Sequence, residues 1–176
     1  MNLPSISHGS RRVCAAMILL GAVLAGASDC AAQAGSFDAR SLREFHQGLI
    51  ANTRTAEIAR NRAWSGSVRR VADNAARDLR RTRLNIESVA RQNRISLTSG
   101  FSSQGRSLVN RISSTPASSF DRVYLDNTTQ QMRRLQRAAQ NGSRSARNAS
   151  LRTAYQRSIT VFNRIAADAR SAQARL

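Results

Sequence analysis

Apolar residues recur every three or four positions from about residue 38 onward, which is the repeat of an amphipathic helix. The first run reads Leu42, Phe45, Leu49, Thr53 and Ala56, and Ser36 or Asp38 is placed to cap it. These patterns predict helices over about 38–64 and 67–93, separated by a break at Gly66. The second helix has seven inward positions in register: Val68, Val71, Ala75, Leu79, Thr82, Ile86 and Val89.

A long Ser, Thr and Gly-rich connection follows, from about residue 95 to Pro116 and Ala117, with Leu108, Val109 and Ile112 able to form one short helix inside it. A third helix is predicted over 119–140, ending at Asn141–Gly142, and a fourth over 145–173. The third helix would turn inward Phe120, Val123, Tyr124, Asn127, Gln131, Leu135 and Ala138. The fourth would turn inward Leu151, Ala154, Tyr155, Ile159, Phe162, Ile165, Ala166 and Ala169.

Four helices and no required strand predict an all-α fold. The connection between helices two and three is long and the other loops are short, which favours antiparallel neighbours. The expected architecture is therefore an antiparallel four-helix bundle of the ferritin-like kind, with one long connection between helices two and three.

Residues 1–34 have the features of a cleavable signal peptide. Arg11 and Arg12 precede an uncharged apolar run from Val13 to Ala27, which is short for a membrane span. Ala32-Gln33-Ala34 supplies the small-x-small cleavage pattern. Lipidation at Cys30 is one competing route, although Asp29 stands where a small residue is wanted. Twin-arginine export, suggested by Ser10-Arg11-Arg12, is the other, although the residues that follow match its signal poorly. The prediction is an exported protein, periplasmic or associated with the outer membrane, with one domain over 35–176.

All 28 basic residues of the chain are arginine. Removing the leader takes two arginines and one aspartate and leaves 26 arginines against 9 acidic residues, a net charge of +17. Guanidinium groups suit phosphate and carboxylate recognition, whereas a GC-rich genome would also favour Arg over Lys. The predicted anion-binding residues lie on helices two and three: Arg69, Arg70, Arg77, Arg80, Arg81, Arg133, Arg134 and Arg137.

Catalytic chemistry has little support in these residues. Cleavage of the leader would remove both cysteines, Cys14 and Cys30, and leave His46 as the one histidine. No nucleophile elbow and no glycine-rich phosphate loop occurs. We therefore predict no enzyme activity and no catalytic, cofactor-binding or metal-binding residue. His46 is interpreted as a helix-boundary residue, and Trp64 is the aromatic residue that the pattern explains least.

Three carboxylates could in principle gather around a metal: Glu57, Asp78 and Glu87. Two or three acids without Glu-x-x-His pairs do not make a di-iron centre. Pairing of these acids with neighbouring arginines on solvated helix faces is the favoured interpretation.

Three segments carry a family resemblance: Thr55-Ala56-Glu57-Ile58-Ala59, then Val71-Ala72 with Arg77-Asp78, and Ser119-Phe120-Asp121-Arg122-Val123-Tyr124-Leu125-Asp126. Over roughly residues 38–170 the chain resembles an exported bacterial domain-of-unknown-function family often labelled an outer membrane protein. The resemblance implies a ferritin-like four-helix bundle. Typical members carry three histidines where this chain has Leu79, Met132 and about Ile165.

The function expected from these observations is an exported, non-enzymatic cell-envelope protein whose arginine-rich helix faces bind anionic partners. Lipopolysaccharide, anionic lipid and acidic polymers are the candidate partners, with peripheral contact to the membrane. A ferritin-like metal or redox protein with a degenerate site is one alternative. The other is a basic nucleic-acid-binding protein, should the chain not be exported, although no base-reading motif for a specific nucleic acid appears.

Overall fold

The computed structural model describes the backbone of residues 21–176 and the side chains from Ala39 onward. The chain divides into residues 1–37 and a compact unit from Asp38 to Leu176. The predicted signal peptide, including its cleavage site and both cysteines, lies outside the residues whose side chains are described. All regular structure in the described part is helical, with no strand, which confirms the all-α fold class.

Helix α1 spans Gly21–Arg62 and therefore passes through the predicted capping positions Ser36 and Asp38 without a break. The prediction that a helix begins there was wrong because alanine-rich sequence before residue 38 continues the helix. Helix α2 spans Gly66–Gln92, close to its predicted range, and Ser65 caps it by accepting a hydrogen bond from Ser67 N. All seven predicted inward positions of α2 are buried.

The long connection contains a fifth helix, α3, over Ser103–Ser114. Ser102 caps it, since its hydroxyl accepts a hydrogen bond from Gly105 N at 3.0 Å. Leu108 and Ile112 are its buried apolar residues, as the short helical pattern indicated. A 3-10 turn, Ala117–Ser119, follows Pro116 and leads into the next helix.

Helix α4 spans Phe120–Ser145 and does not end at Asn141–Gly142 as predicted. Gly142 lies inside the helix because Tyr155 of α5 packs against it: an ideal Cβ here would lie 2.6 Å from Cζ of that ring. The glycine therefore permits close helix packing instead of a left-handed cap. Helix α5 spans Ala149–Gln173 and begins after Asn148, whose side chain accepts from Ser150 N at 2.8 Å. Its predicted start at Ser145 was wrong because α4 extends to that residue.

The inward face of α4 is wider than predicted. Phe120, Tyr124, Asn127 and Leu135 are buried as expected, but Ala138 is exposed and Val123 and Gln131 are half-buried. Buried positions that the prediction left out are Leu125, Thr128, Thr129, Met132 and Ala139. The pattern shifts because α4 packs on one side against α5 and on the other against α1. On α5, the predicted face is buried except for half-buried Ile159.

Cross-helix contacts give the helix directions. His46 and Glu57 of α1 contact Glu87 and Arg80 of α2, so these two helices are antiparallel. Asp126 of α4 accepts a hydrogen bond from Gln173 of α5, while Gly142 faces Tyr155, so this pair is antiparallel as well.

The α2–α5 and α1–α4 pairs are antiparallel as well. Asp78 and Asn93 of α2 contact Arg164 and Ser150 of α5, and Arg62 near the end of α1 lies over Phe120 at the start of α4. Helices α1 and α5 thus run toward one end, and α2 and α4 run toward the other.

Helices α1 and α5 also meet through aromatic rings in the centre of the core. The Phe45 ring lies edge-on to Tyr155 and Phe162, with centroid distances of 5.2 and 5.9 Å. Helices α2 and α4 consequently lie on opposite sides of the α1–α5 pair. No helix in the described part is long and apolar enough to cross a membrane.

Arg62 ties α3 to α1. Its guanidinium donates hydrogen bonds to the carbonyl oxygens of Ile112, Ser113 and Thr115, the last at 2.7 Å, and lies 4.6 Å from the centroid of the Phe120 ring. Carbonyls at a helix C-terminus lack intrahelical partners, so the half-buried fork of donors on Arg62 satisfies several at once. This contact holds the crossing segment against the bundle.

Replacing Gly142 with alanine is expected to destabilise the domain, because overpacking against a buried ring costs about 1–3 kcal/mol and exceeds the propensity gain of alanine. Urea unfolding measures the change. Gly66→Ala is the matched control, since nothing lies within 4 Å of a Cβ there, and it should be neutral or slightly stabilising. A Gly142→Ala protein as stable as Gly66→Ala would contradict the packing argument.

Arg62→Met keeps the aliphatic stem but removes the three hydrogen bonds to the end of α3. A hydrogen bond to a charged group contributes about 1.5–3 kcal/mol of net stability. Arg62 is only half-buried, so water replaces part of the bonding that the variant loses. We expect faster amide hydrogen exchange across Ser103–Ser114 and a loss of roughly 2 kcal/mol in unfolding free energy. Arg69→Met, an exposed arginine without a carboxylate partner in the described part, should leave both quantities unchanged.

Candidate anion-binding surface

The eight arginines predicted to bind anions are all exposed, but they do not form one surface. Five lie on α2 and three on α4, and those helices stand on opposite sides of the α1–α5 pair. The sequence prediction grouped them because helix order along the chain carries no information about which helices become neighbours. The α2 arginines and the α4 arginines therefore form two separate surfaces.

Acidic residues neutralise part of the α2 set. Arg77 pairs with Asp73 on the same helix, and Arg80 Nη2 lies 2.8 Å from Glu57 Oε1 on α1. Asp73 also lies 3.8 Å from Arg60. Arg69, Arg70 and Arg81 have no carboxylate partner among the described residues.

The α4 set is not neutralised. Arg133, Arg134 and Arg137 make no ion pair within the part of the chain that the structure describes. Acidic residues are scarce around them in the sequence too, because residues 127–167 include eight arginines and no Asp or Glu. The positive charge is therefore largely uncompensated over the later part of α4 and most of α5, where Arg164 is the arginine with a carboxylate partner among the described residues.

A groove lies between α3 and α4, beside these arginines. It encloses about 290 Å³ and is lined by Ser103, Gln104, Ser107, Leu108, Arg111, Gln130, Gln131 and Arg134. Two guanidinium groups, three side-chain amides and two hydroxyls supply its polar groups, and no carboxylate lines it. Such a lining offers hydrogen-bond donors to phosphate, carboxylate and sugar hydroxyl oxygens.

A second cavity of about 220 Å³ opens beside the groove, between α1, α3 and α4. Gln104, Leu108, Gln131 and Arg134 line both spaces. The second cavity differs in having an apolar floor that includes Phe45 and Leu135, and Glu44 at its rim. Arg134 is thus the one residue of the predicted set that borders both spaces.

Sequence analysis missed the α3 side of the groove. Arg111, Gln104 and Ser107 belong to the segment that was interpreted as a connection with one short helix. The short helical pattern already placed Arg111 on the outward face, between the inward residues Leu108 and Ile112. It could not predict a groove, because it does not show that α3 packs beside α4.

His46 is not a helix-boundary residue. It lies within α1 with 3% of its surface exposed, and its Nε2 is 2.9 Å from Glu87 Oε1 on α2. Glu87 also lies 3.7 Å from Arg83 Nε. The pair joins two helices inside the core, and its role is structural: it fixes the register of α1 against α2.

The other two carboxylates pair with arginines, as the favoured interpretation held. Glu57 pairs with Arg54 and Arg80, and Asp78 pairs with Arg164 at 2.7 Å. Over the residues with described side chains, no three His, Cys, Asp or Glu side chains gather as a metal site would require.

The positions where the resembled family carries histidines are core positions here. Leu79, Met132 and Ile165 have at most 2% of their surface exposed and belong to one hydrophobic cluster. Apolar side chains at these three places fill the interior of the bundle.

The Phe-Asp-Arg segment at the start of α4 performs a structural role. Asp121 accepts hydrogen bonds from Trp64 N at 3.1 Å and Ser65 N at 2.8 Å, so it caps the turn that begins α2. Phe120 lies beneath Arg62 and stacks parallel to Tyr124 at a centroid distance of 6.4 Å. This segment of the resemblance thus joins the α1–α2 turn to α4.

Tyr124 is fully enclosed in this cluster, and burial raises its pKa from 10.0 to about 12. A raised pKa means that the unfolded chain loses this proton first, so stability present below pH 10 falls as pH rises toward 12. Tyr124→Phe is expected to reduce this alkaline loss of stability. Thermal unfolding at pH 8 and pH 11 measures the difference, and an identical loss in both proteins would refute the assignment.

The chain belongs to a family of unknown function. The family described as "Domain of unknown function (DUF4142)" matches residues 24–172. No curated protein and no solved structure matches the chain. The family covers all five helices nearly to their ends, so the groove and the Phe-Asp-Arg segment both lie within the shared domain.

Proposed function

We propose that this protein is an exported, non-enzymatic cell-envelope protein that binds anionic surfaces through the arginines of α4 and the groove beside them. The observation that carries the proposal is the set Arg111, Arg133, Arg134 and Arg137, which is exposed and unpaired within the described part of the chain. Its partners are phosphate- or carboxylate-bearing envelope components: lipopolysaccharide, anionic lipid or acidic polymer.

Electrostatics supports this function. Each exposed cation near an anionic membrane surface contributes on the order of 1 kcal/mol. Arginines already paired with Asp73, Glu57 or Asp78 contribute less, because a new anion must compete with a carboxylate already in place. The uncompensated arginines of α4 have no such competitor. The amide-lined groove adds directional hydrogen bonds, which a merely solvated arginine face would lack.

Export is the second part of the proposal, and it rests on the leader-like residues 1–34. Localisation in the periplasm or at the outer membrane would bring the basic domain to anionic envelope surfaces and separate it from most nucleic acid. Mass spectrometry of the protein recovered from the periplasmic fraction tests it. A new N-terminus at Gly35 supports export, an acylated Cys30 supports lipidation, and an intact Met1 would contradict processing.

The fold that we propose in finer detail is a ferritin-like four-helix bundle formed by α1, α2, α4 and α5, with α3 in the crossing connection. Antiparallel neighbours and a single long connection after the second helix support it. A metal or redox function does not follow from that fold, because Leu79, Met132 and Ile165 offer no ligand.

The test compares the triple variant Arg133→Gln, Arg134→Gln and Arg137→Gln with the parent protein. Binding to anionic or lipopolysaccharide-bearing vesicles at about 50 mM salt is expected to fall by on the order of 100-fold, which corresponds to about 1 kcal/mol per removed cation. Co-sedimentation measures it, and about 300 mM salt should weaken the binding of the parent.

The charge-matched control replaces three arginines that already have carboxylate partners: Arg77→Gln, Arg80→Gln and Arg164→Gln. It removes the same net charge. A smaller loss of vesicle binding than in the α4 triple variant would therefore show that binding depends on where the arginines lie and not on net charge alone. Equal losses would show a purely diffuse charge effect and contradict the α4 surface. Preference for duplex DNA over vesicles in competition would contradict the envelope function and favour nucleic acid.

A further inference from the structure

Trp64 is the most exposed large apolar residue among the described side chains, with 76% of its surface accessible. The turn that carries it is nevertheless firmly held. Its backbone N–H is bound to Asp121, and the preceding residue, Ala63, is buried. The fold thus fixes the backbone of Trp64 and leaves most of its ring exposed.

A second exposed apolar residue lies beside it. Leu176, 51% exposed, lines the same surface recess of about 470 Å³ as Trp64, together with Ala117, Ser118, Asp121 and Arg122. The recess lies at the end of the bundle where α1 and α5 finish and α2 and α4 begin. Asp121 is the single acid in its lining, and both of its oxygens already accept hydrogen bonds from the α1–α2 turn.

Arginines surround this apolar end. Arg122 lines the recess, Arg175 adjoins Leu176, and Arg69 and Arg70 lie within about 6 Å of the start of α2 along its axis. All four are exposed and lack a carboxylate partner in the described part of the chain. The first turn of α2 contains no acid, and cations near a helix N-terminus oppose its dipole. Such a locally unfavourable choice is typical of functional positions.

We propose that this end of the bundle docks on an anionic lipid bilayer, with Trp64 and Leu176 entering the interfacial region and the four arginines contacting headgroup phosphates. Tryptophan suits the boundary between headgroups and acyl chains because its ring is apolar and its indole N–H can remain hydrogen-bonded. Charge complementarity selects anionic lipid as the occupant. The inference rests on the proposed function and adds a second contact, at the bundle end, to the α4 surface.

Fluorescence of the full chain provides a local test, because Trp64 is the sole tryptophan in the sequence. Vesicles containing phosphatidylglycerol are expected to shift its emission to shorter wavelength and to reduce quenching by acrylamide. Pure phosphatidylcholine vesicles and inorganic phosphate should do neither. Attachment of vesicles elsewhere on the chain would not produce this signal.

Trp64→Ala is expected to weaken binding to phosphatidylglycerol vesicles about tenfold, the size expected for losing one large apolar anchor. Leu84→Ala is the matched control, because Leu84 is 53% exposed but lies about 27 Å along α2 from the Trp64 end. It should bind as the parent does. Circular dichroism melting of both variants should match the parent, since neither side chain is buried.

The possible results separate the two proposals. Sedimentation with phosphatidylglycerol vesicles, without an emission shift and with Trp64→Ala binding normally, overturns the docking end and leaves the α4 surface intact. No sedimentation at about 50 mM salt with either phosphatidylglycerol or lipopolysaccharide-bearing vesicles overturns both. An emission shift that grows with protein concentration in the absence of vesicles would mean that a second copy covers Trp64, and a shift with phosphate alone would mean a free-anion site. Each of these two results overturns bilayer docking.

Discussion

Two side chains at one end of the bundle hold together the elements on which both proposed surfaces depend. Asp121, in the first turn of α4, binds the backbone of the α1–α2 turn, and Arg62, at the end of α1, binds the last carbonyls of α3. Together they fix where the crossing segment ends and where α4 begins. The groove between α3 and α4 exists because α3 is held there. Trp64 is displayed because Asp121 binds its backbone N–H while 76% of its surface stays exposed.

After the predicted leader the chain has nine acidic residues and 26 arginines. The positions of the acidic residues decide which arginines are free of a carboxylate neighbour and can bind an external anion. Carboxylates on α1 and α2 lie within reach of arginines on α1, α2 and α5, whereas α4 has none near Arg133, Arg134 and Arg137. A protein with this excess of one charge repels itself unless anions or salt reduce the potential. A bound anion lowers the positive potential most where no carboxylate of the protein already lies close to the arginines.

The Phe-Asp-Arg segment and the positions where the resemblance implies histidine both serve packing in this chain. Phe120, Asp121 and Tyr124 build the joint between the α1–α2 turn and α4, and Leu79, Met132 and Ile165 fill the core. His46 and Glu87 add one polar link across that core. Fold and polar chemistry are thus separated: the interior stabilises the bundle, and the recognition that we propose uses exposed arginines, amides and one tryptophan.

Hydrophobic periodicity alone determined the all-helical class, the inward residues of α2 and most of those of α5, because a helix facing a core repeats every 3.6 residues whatever its neighbours are. Composition alone determined the basic character. Tertiary structure decided the rest: that Gly142 accommodates Tyr155 instead of ending a helix, that α4 buries a wider face, and that the arginines of α2 and α4 lie apart. Each of these depends on which helices become neighbours. That choice is made by side-chain packing and ion pairs between residues far apart in the chain, which local periodicity cannot record.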